Sequence, residues 1–529
     1  MSLKSFFVDS KKATFLTGAV ILGVSSVVSR LLGLVRNRLL SGEFGTGFAS
    51  DAYFAAFRLP DFLFNLLVLG ALSSAFIPVF AEYLAKKKRD EAFMVARSLF
   101  TVMFFVLAVL TVVLFLFAEP LSYLVAADWV GEQRELLVRL IRIMLLSPLF
   151  FGLSNVLTGI LNSFRRFVAT AAAPVMYNVG IIAGLVFLTP TLGIEGAAWG
   201  VAFGSFLHLL TQVPTARRLG FSFMPAFQFF HEGVKKIFTL LLPRTIGMAM
   251  TQINLLIVAF LATRMEEGSL SQFQYATDLQ SFPLGVFGFS FAVSAFPLLA
   301  EAASKNQESK FRSAFSHAFT QILFWLLPAS AFLLLLREHL VRLVLGTGAF
   351  DWPATLATAS ALGFLGLSLF AQGLVPLLAR TFYALQDTRT PVMVSILSLV
   401  LNIGLSFVFA PVLGVVGLAL AFTLGTLVNL VVLLVWLRVR VGDLDDARLL
   451  RNTLIIVAAT VVAGIAGFGA IRLTDPLLDT TRYLGLALQA FAALGVGALV
   501  YLSINRLFKL EELSGMFAAA RARFRFKRS

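Results

Sequence analysis

Ionisable side chains occur inside the first two long apolar stretches of the chain, and their types and spacing point to anion binding. Arg30 and Arg36 lie in the first stretch, and Asp51, Arg58 and Asp61 lie in the second. Asp51 and Arg58 are two helical turns apart and share a helix face, while Arg58 and Asp61 are neighbours at i, i+3. A guanidinium stays protonated and makes paired hydrogen bonds to phosphate oxygens. The pattern therefore predicts a site for a phosphate or pyrophosphate group.

Each of these residues needs a function or a partner, because a charge at mid-bilayer costs at least about 2.5 to 3.5 kcal/mol on insertion scales. Arg36 and Arg38 have the alternative interpretation that they end the first helix and extend to the interface. Arg30 lies deep in its span, so we expect it to face a cavity with Asp51 as its resting partner. For Asp61, near a helix end, we favour a structural role over cavity lining or ion coupling.

The other polar residues do not assemble a catalytic or metal centre. The chain has no cysteine, and its four histidines (His208, His231, His317, His339) lack the spacing of metal ligands. We therefore predict a protein that is not an enzyme and that uses no metal and no cofactor. The net charge of +15 comes from residues in short segments between apolar stretches, which argues against a nucleic-acid partner.

Membrane helices must position these residues. Of 529 residues, 59% are hydrophobic and 13% are charged, and the mean hydropathy is +0.89. Stretches of about twenty apolar residues, enough to cross about 30 Å of hydrocarbon, recur from end to end. We predict an all-α polytopic membrane protein of about fourteen transmembrane helices, near 13–38, 48–82, 92–117, 135–160, 168–189, 195–216, 235–263, 270–301, 311–336, 354–384, 391–410, 414–437, 451–471 and 483–506. Pro60 and Pro283 are expected to kink the second and eighth spans.

Lysine is distributed asymmetrically between alternate connecting segments. With fourteen spans, all lysines fall on one side: Lys4, Lys11, Lys12, Lys86 to Lys88, Lys235, Lys236, Lys305, Lys310, Lys509 and Lys527. The opposite loops carry no lysine and are acidic, for example at Glu267. By the positive-inside rule, we predict that both termini are cytoplasmic.

The sequence also repeats itself. Segment 190–196 (PTLGIEG) matches 411–417 (PVLGVVG), and Gly152 and Gly204 match Gly373 and Gly425 at the same offset. Six spans is an even number, so both copies enter from the same side, as in a parallel repeat. Chance similarity between glycine-rich apolar segments is the alternative. We predict an N-terminal six-helix lobe at 1–218, a C-terminal six-helix lobe at 219–440, and two further helices with a basic cytoplasmic tail at 441–529.

Several segments resemble a known family. They are 29–36 (SRLLGLVR), 50–60 (SDAYFAAFRLP), 70–82 (GALSSAFIPVFAE), 161–167 (LNSFRRF) with Ala173, Pro174 and Asn178, and 380–392 (RTFYALQDTRTPV). The chain resembles, over essentially its whole length, the MurJ/MviN family of lipid II flippases in the multidrug/oligosaccharidyl-lipid/polysaccharide exporter superfamily. The resemblance implies a bacterial inner-membrane protein that carries an undecaprenyl-pyrophosphate-linked glycan, lipid II, by alternating access through a central cavity. Membrane lipids and cell-wall synthesis proteins are the other partners it suggests.

Residue by residue, the resemblance implies substrate-binding roles. Arg30, Arg36 and Asp51 fall on family positions tied to function, and Arg58 falls on a basic one. The chain also departs from the family pattern, at Asn37, Phe64, Leu69 and Asp278. A sodium site described for the family retains only Asn402, with Val258 and Ser406 in place of carboxylates, so Asp278 and Asn402 are candidates for cavity lining or coupling.

Three hypotheses follow. The first is a flippase for lipid II or for another undecaprenyl-pyrophosphate-linked sugar. The second is a cation-coupled drug or metabolite antiporter of the same superfamily, using intramembrane carboxylates. The third is a scaffold that does not transport. The surplus of arginine in the first span disfavours a cationic drug, and the kinked spans with Arg30 disfavour a scaffold.

Overall fold

The structure is a computed structural model that describes residues 15–66, 72–228 and 230–510. Within these ranges every regular element is a helix. The N-terminal lysines, Leu69 and the basic tail beyond Leu510 lie outside the described residues. In chain order the α-helices are α1 (Phe15–Phe44), α2 (Phe48–Ala56), α3 (Arg58–Phe64), α4 (Leu72–Ala85), α5 (Arg89–Leu116), α6 (Ala118–Ser122), α7 (Glu132–Met144), α8 (Leu146–Ser163), α9 (Phe167–Ala183), α10 (Thr189–Leu192), α11 (Ile194–Arg218), α12 (Glu232–Ala262), α13 (Ser269–Pro283), α14 (Phe289–Ser304), α15 (Glu308–Leu335), α16 (Arg337–Leu345), α17 (Trp352–Leu367), α18 (Leu369–Ala384), α19 (Arg389–Leu413), α20 (Val415–Val441), α21 (Asp446–Thr474) and α22 (Tyr483–Leu507).

Ten helical segments of the described chain are long and apolar enough to cross a membrane. They are Arg89–Leu116, Glu132–Ser163, Phe167–Leu192, Ser269–Ser304, Glu308–Leu335, Trp352–Ala384, Arg389–Leu413, Val415–Val441, Asp446–Thr474 and Tyr483–Leu507. The remaining predicted spans coincide with other helices. Three of them correspond to α1, α11 and α12, and the fourth contains the separate helices α2, α3 and α4. The sequence-based prediction of an all-α polytopic membrane protein is confirmed.

Regular α-helix is interrupted at both predicted kinks. In the second span, α2 ends at Ala56 and α3 begins at Arg58, so Pro60 lies in the first turn of α3. In the eighth span, α13 ends at Pro283 and a π-helical turn, Leu284–Gly288, follows it. Proline has no amide hydrogen to donate within a helix, which explains both interruptions.

Two turns related by the sequence repeat have the same backbone conformation. Gly193 has φ 57° and ψ −141°, and Gly414 has φ 57° and ψ −139°. The amide of each donates to the carbonyl four residues earlier at 2.9 Å, and the carbonyl of each accepts from the amide three residues later, at 3.0 and 2.9 Å. A Cβ is strongly disfavoured in this conformation, so both turns need glycine.

A second pair of turns has the same relationship. Arg165 and Gln386 stand at the same offset in sequence, and both have positive φ, 56° and 61°. Each follows the end of a helix in one of the two loops singled out by the family resemblance. These matches support the internal repeat.

The described chain divides into two compact units. The first extends to Ser271 and also contains Thr347–Phe350; the second contains Gln272–Gly346 and the residues from Asp351 onward. The short segment belongs to the first unit because the amide of Ala349 donates to the carbonyl of Gly42 at 2.8 Å. These units are defined by their compactness, whereas the predicted lobes are defined by the sequence repeat. The units therefore do not test the lobe boundaries at 218 and 440, which stay predictions.

Within the first unit, α9 and α11 pack backbone against backbone. A Cβ added to Gly180 would lie 2.3 Å from Cα of Gly204, and one added to Gly184 would lie 2.4 Å from Cα of Gly200. Small residues four apart on both helices permit this approach, which is a common packing mode of membrane helices. The contact fixes α9, against which α1 packs.

Candidate functional site

The sequence-predicted residues fall into two groups. Arg30 and Arg36 on α1, Asp51 on α2, and Arg58 and Asp61 on α3 belong to the first unit. Asp278 on α13 and Asn402 on α19 belong to the second. We describe the two groups separately.

Arg36 is held by its neighbour. Its Nε and Nη2 both donate to Oδ1 of Asn37, at 3.1 and 2.9 Å, and Asn37 is buried. The neutral amide oxygen of Asn37 thus orients the guanidinium of Arg36, which stays protonated.

Arg36 belongs to a polar cluster together with Tyr53, Asp61 and Tyr177. The Tyr177 hydroxyl interacts electrostatically with all three of the other residues. Arg58 is buried and its charge acts on Asp61, its i, i+3 neighbour. Two guanidinium groups, one carboxylate and two phenols thus come from α1, α2, α3 and α9. We call these five residues, Arg36, Tyr53, Arg58, Asp61 and Tyr177, the arginine–tyrosine cluster.

Contacts between aromatic rings connect Phe64 to Tyr177 of this cluster. The ring of Phe64 lies 5.1 Å from that of Phe151, which lies 5.0 Å from that of Tyr177. The family resemblance places an arginine at position 64. A phenylalanine there extends an apolar wall beside the cluster and removes one positive charge.

Arg30 lies on the part of α1 that packs on α9. Next to it, Ser29 Oγ donates to the carbonyl of Pro174 at 3.3 Å, and Asn178 Nδ2 donates to Ser29 Oγ at 3.1 Å. These bonds fix the rotation of α1 about its axis, and Arg30 is half-buried. Asn178 thus anchors Ser29, the residue before Arg30, to α9. The family resemblance singled out Asn178.

Asp51 has partners that the sequence did not predict. Its carboxylate accepts from the backbone amides of Gly268, at 2.8 Å, and Ser271, at 2.7 Å. These amides belong to the first turn of α13, where four N–H groups lack partners within the helix. Arg30 is not among the partners of Asp51 in the described chain, so the predicted resting pair is wrong. The first-turn amides of α13 therefore find their acceptor in the side chain of Asp51.

The contact with α13 is reciprocal. Glu267, which precedes α13, accepts from the amide of Phe48, the first residue of α2, at 2.5 Å. Trp129 packs edge-on against the ring of Phe48 at 4.8 Å and donates to the carbonyl of Thr263 at 3.2 Å. The first turns of α2 and α13 are therefore joined by two carboxylates.

Arg134 is a buried residue whose role the sequence did not indicate. Its guanidinium donates to the carbonyls of Trp129, Ala126 and Ala127 and to Ser122 Oγ, at 2.6 to 3.0 Å. It also lies 3.5 Å from the ring centroid of Tyr123. Four hydrogen bonds from its guanidinium end on this segment, so Arg134 orders the chain between α6 and α7. Sequence spacing could not reveal this, because the partners are mostly backbone carbonyls.

His208 takes part in a buried polar network between α8 and α11. Its Nδ1 lies 2.7 Å from Ser154 Oγ, which also accepts from Gln212 Nε2 at 2.6 Å. Gln212 Oε1 accepts in turn from Thr158 Oγ1 at 2.9 Å. The network gives His208 hydrogen-bonding partners within the first unit.

The second unit holds the other candidates. Gln274 Nε2 donates to Asp278 Oδ1 at 2.9 Å, one turn along α13. On α19, Ser406 Oγ donates to Asn402 Oδ1 at 3.3 Å, and both residues are buried. Among the described residues, no three His, Cys, Asp or Glu side chains converge as metal ligands.

Comparisons with known proteins agree on one relationship. Residues 40–488 match the family described as "Lipid II flippase MurJ". The chain is 31% identical over 498 residues to the lipid II flippase MurJ of Burkholderia cenocepacia, covering 90% of this chain and 95% of that one. It is 30% identical over 511 residues to the probable lipid II flippase MurJ of Vibrio cholerae, covering 92% and 95%.

Solved structures give the same result for the fold. A lipid II flippase MurJ in an inward closed conformation superposes with a TM-score of 0.77 at 25% identity, covering 92% of this chain and 98% of that one. An inward-facing multidrug resistance MATE family transporter gives a TM-score of 0.68 at 18% identity, covering 79% and 96%. The second likeness shows a shared fold only.

Proposed function

Because the chain belongs to the lipid II flippase MurJ family, we propose that it translocates lipid II across the cytoplasmic membrane by alternating access. The observation that carries this proposal is the match to the family over residues 40–488, together with 31% identity to a lipid II flippase over nearly the whole chain. The chain is a transporter rather than an enzyme. Its role is thus to deliver a lipid-linked precursor for peptidoglycan synthesis.

For the head group, the arginine–tyrosine cluster and Arg30 offer suitable chemistry. A pyrophosphate presents several acceptor oxygens, and guanidinium groups bind such oxygens in pairs. Arg36 stays protonated, and its guanidinium is hydrogen-bonded to the neutral amide oxygen of Asn37. Tyrosine hydroxyls can donate to phosphate or sugar oxygens. We propose Arg30, Arg36 and Arg58 as head-group contacts.

For Asp51, the contacts favour a positioning role over direct substrate binding. Both carboxylate oxygens already accept amide hydrogens at the start of α13. A substrate group could hydrogen-bond to these oxygens only in competition with the two amides. We therefore propose that Asp51 acts on transport through the first turn of α13.

The candidate coupling residues, Asp278 and Asn402, lie in the second unit. Asn402 and Ser406 supply only neutral oxygens, and Asp278 is hydrogen-bonded to Gln274. Moving one charge through 100 mV is worth about 2.3 kcal/mol and needs no dedicated ion site. We propose that membrane potential contributes more to transport than sodium does.

The alternatives receive weaker support. A flippase for another undecaprenyl-pyrophosphate-linked sugar would use the same pyrophosphate contacts, and the departures from the family pattern at Phe64 and Asp278 leave room for a different sugar. A cation-coupled antiporter rests on the MATE likeness, which shows the fold alone. Interaction with cell-wall synthesis proteins, and cytoplasmic termini, remain proposals.

Genetic complementation tests the proposed function. The chain is expressed in a bacterium whose own lipid II flippase is under conditional control, and growth is followed after depletion. We expect growth and cell shape to be restored. Lysis despite normal accumulation of the chain in the membrane would exclude lipid II as its substrate in that host.

A further inference from the structure

The second unit contains a large cavity that the proposed transport does not use. Its volume is about 1240 Å³, above the roughly 300 to 1,000 Å³ of typical small-molecule sites. The walls come from the end of α15, the short α16, and the facing ends of α21 and α22. It is thus large enough for an amphiphile.

Polarity changes along the cavity wall. Gly464, Phe468, Ile471 and Asp475 lie on one side of α21 and run from apolar to acidic over about 16 Å at 1.5 Å per residue. On α15, Ala331 contributes to the same apolar part of the wall. The helices α15, α21 and α22 all belong to apolar spans, so the apolar end of the cavity lies at the level of the hydrocarbon.

The polar end carries an excess of positive charge. Four arginines line it, Arg337, Arg342, Arg472 and Arg482, together with the carboxylates of Glu338 and Asp475. Asp479, next to the lining, pairs with Arg482 at 3.1 Å, so one positive charge remains in excess. Asp475 already accepts from Gln489 Nε2 at 3.1 Å. A cavity with this balance favours an anion at its polar end.

Gln489 cross-links the helices that form the cavity wall. Gln489 is 2% exposed, accepts from His339 Nε2 at 2.8 Å and donates to the carbonyl of Ile471 at 3.2 Å. Since the amide nitrogen of Gln489 is the donor, its oxygen is the acceptor, and His339 carries hydrogen on Nε2. These bonds tie α16, α21 and α22 together, so the cavity has preformed walls.

We propose that this cavity binds an anionic phospholipid, with the phosphodiester between Arg337 and Arg342 and an acyl chain along Gly464 and Phe468. The charge excess selects an anionic head group, and the apolar wall selects a lipid over a soluble anion. The site lies entirely within the second unit and involves none of the residues proposed to contact lipid II.

Native mass spectrometry of the full chain in detergent tests the site. Phosphatidylglycerol, phosphatidylcholine and inorganic phosphate are the probes, and retained adducts are titrated. We expect phosphatidylglycerol to be retained over phosphatidylcholine. The double change Arg337→Gln with Arg342→Gln should weaken phosphatidylglycerol binding about 30-fold, at roughly 1 kcal/mol for each basic residue near a membrane surface. The matched control is Arg139→Gln with Arg142→Gln in the first unit, which should have little effect.

A second variant tests the acyl-chain groove independently of charge. A Cβ at Gly464 meets nothing within 4 Å, so Gly464→Phe is compatible with folding but fills the groove. A Cβ at Gly469 also meets nothing, and Gly469 does not line the cavity, so Gly469→Phe is its control. Loss of phosphatidylglycerol in Gly464→Phe alone supports the proposal. Equal retention of both lipids, full competition by inorganic phosphate, or equal losses in variant and control would overturn it.

Discussion

Asp51 and Glu267 each hold the first turn of the other's helix. Asp51, on α2, accepts from the amides of Gly268 and Ser271 at the start of α13, and Glu267 accepts from the amide of Phe48 at the start of α2. A side-chain acceptor at a helix N-terminus is worth about 1 kcal/mol, and a negative charge there gains from the helix dipole. This pair replaces the Arg30–Asp51 contact expected from the sequence.

The reciprocal caps predict a graded loss of stability. Asp51→Asn keeps an acceptor oxygen and loses the charge, while Asp51→Ala loses both, so thermal midpoints in detergent should fall in the order wild type, Asn, Ala. We expect about 1 to 2 kcal/mol for Asp51→Ala. Glu266→Gln, at the exposed neighbour of Glu267, is the control and should leave the midpoint unchanged.

A double-mutant cycle separates this account from the one based on an ion pair. Because Arg30 is not a partner of Asp51 in the described chain, the effects of Arg30→Ala and Asp51→Ala on stability should add. Recovery of stability in the double variant would mean that the two side chains neutralise each other after all.

A pH effect follows from Asp387, in the loop between α18 and α19. Its carboxylate accepts from the amides of Thr390 and Arg389, both at 3.0 Å, and pairs with Arg440. The hydrogen bond from the Thr390 amide has the largest effect on the pKa of Asp387 and lowers it. The Thr390 hydroxyl and the Arg440 charge lower it further and, with that amide, outweigh the opposing effect of burial. A lowered folded-state pKa gives stability that is present above the unfolded value and lost as pH falls through the folded value.

The measurement compares wild type with Asp387→Asn in thermal unfolding from pH 7 to pH 3. We expect the wild type to be more stable at neutral pH, by about 1 kcal/mol for a helix cap. The difference should shrink below about pH 4, the usual range of an aspartate. If the stability difference between wild type and Asp387→Asn stayed constant from pH 7 to pH 3, the charge of Asp387 would not contribute to stability.

The paired glycine turns give a third prediction. Neither Gly193 nor Gly414 would bring a Cβ within 4 Å of another group, so the cost of alanine is backbone strain alone, about 1 to 3 kcal/mol. Gly193→Ala and Gly414→Ala should destabilise by similar amounts. Gly404→Ala is the control, since it lies inside α19 with open space and should be neutral or slightly stabilising. Clearly unequal losses at 193 and 414 would argue against equivalent turns.

The fold was predictable because its signals are local. Apolar length located the helices, and Pro60 and Pro283 located the interruptions. The site was predictable only in part: spacing on one helix correctly joined Arg58 to Asp61. Contacts between distant helices leave no such signal, so the amides that hold Asp51 and the carbonyls that hold Arg134 were missed. Backbone groups are identical in every residue, and a sequence does not show which of them a side chain will meet.

Lysine asymmetry gives a prediction about orientation. The chain has no cysteine, so single cysteines can be introduced directly. Glu266→Cys should react with an impermeant thiol reagent in intact cells, while Glu308→Cys should react only after permeabilisation. The reverse labelling pattern would place the termini outside the cell and invert the proposed direction of transport.

The central claim, that this chain exposes lipid II on the outer face through its intramembrane arginines, is tested most directly by a lipid II accessibility assay in cells depleted of their own flippase. We predict that the wild type restores accessibility and that Arg30→Ala and Arg36→Ala each abolish it while the protein still accumulates. Arg36→Lys should restore it only in part, because an ammonium lacks the planar paired donors. Arg38→Ala, at the expected interfacial arginine, is the control and should remain active. Full accessibility in both Arg30→Ala and Arg36→Ala, or none with an abundant wild type, would contradict the account.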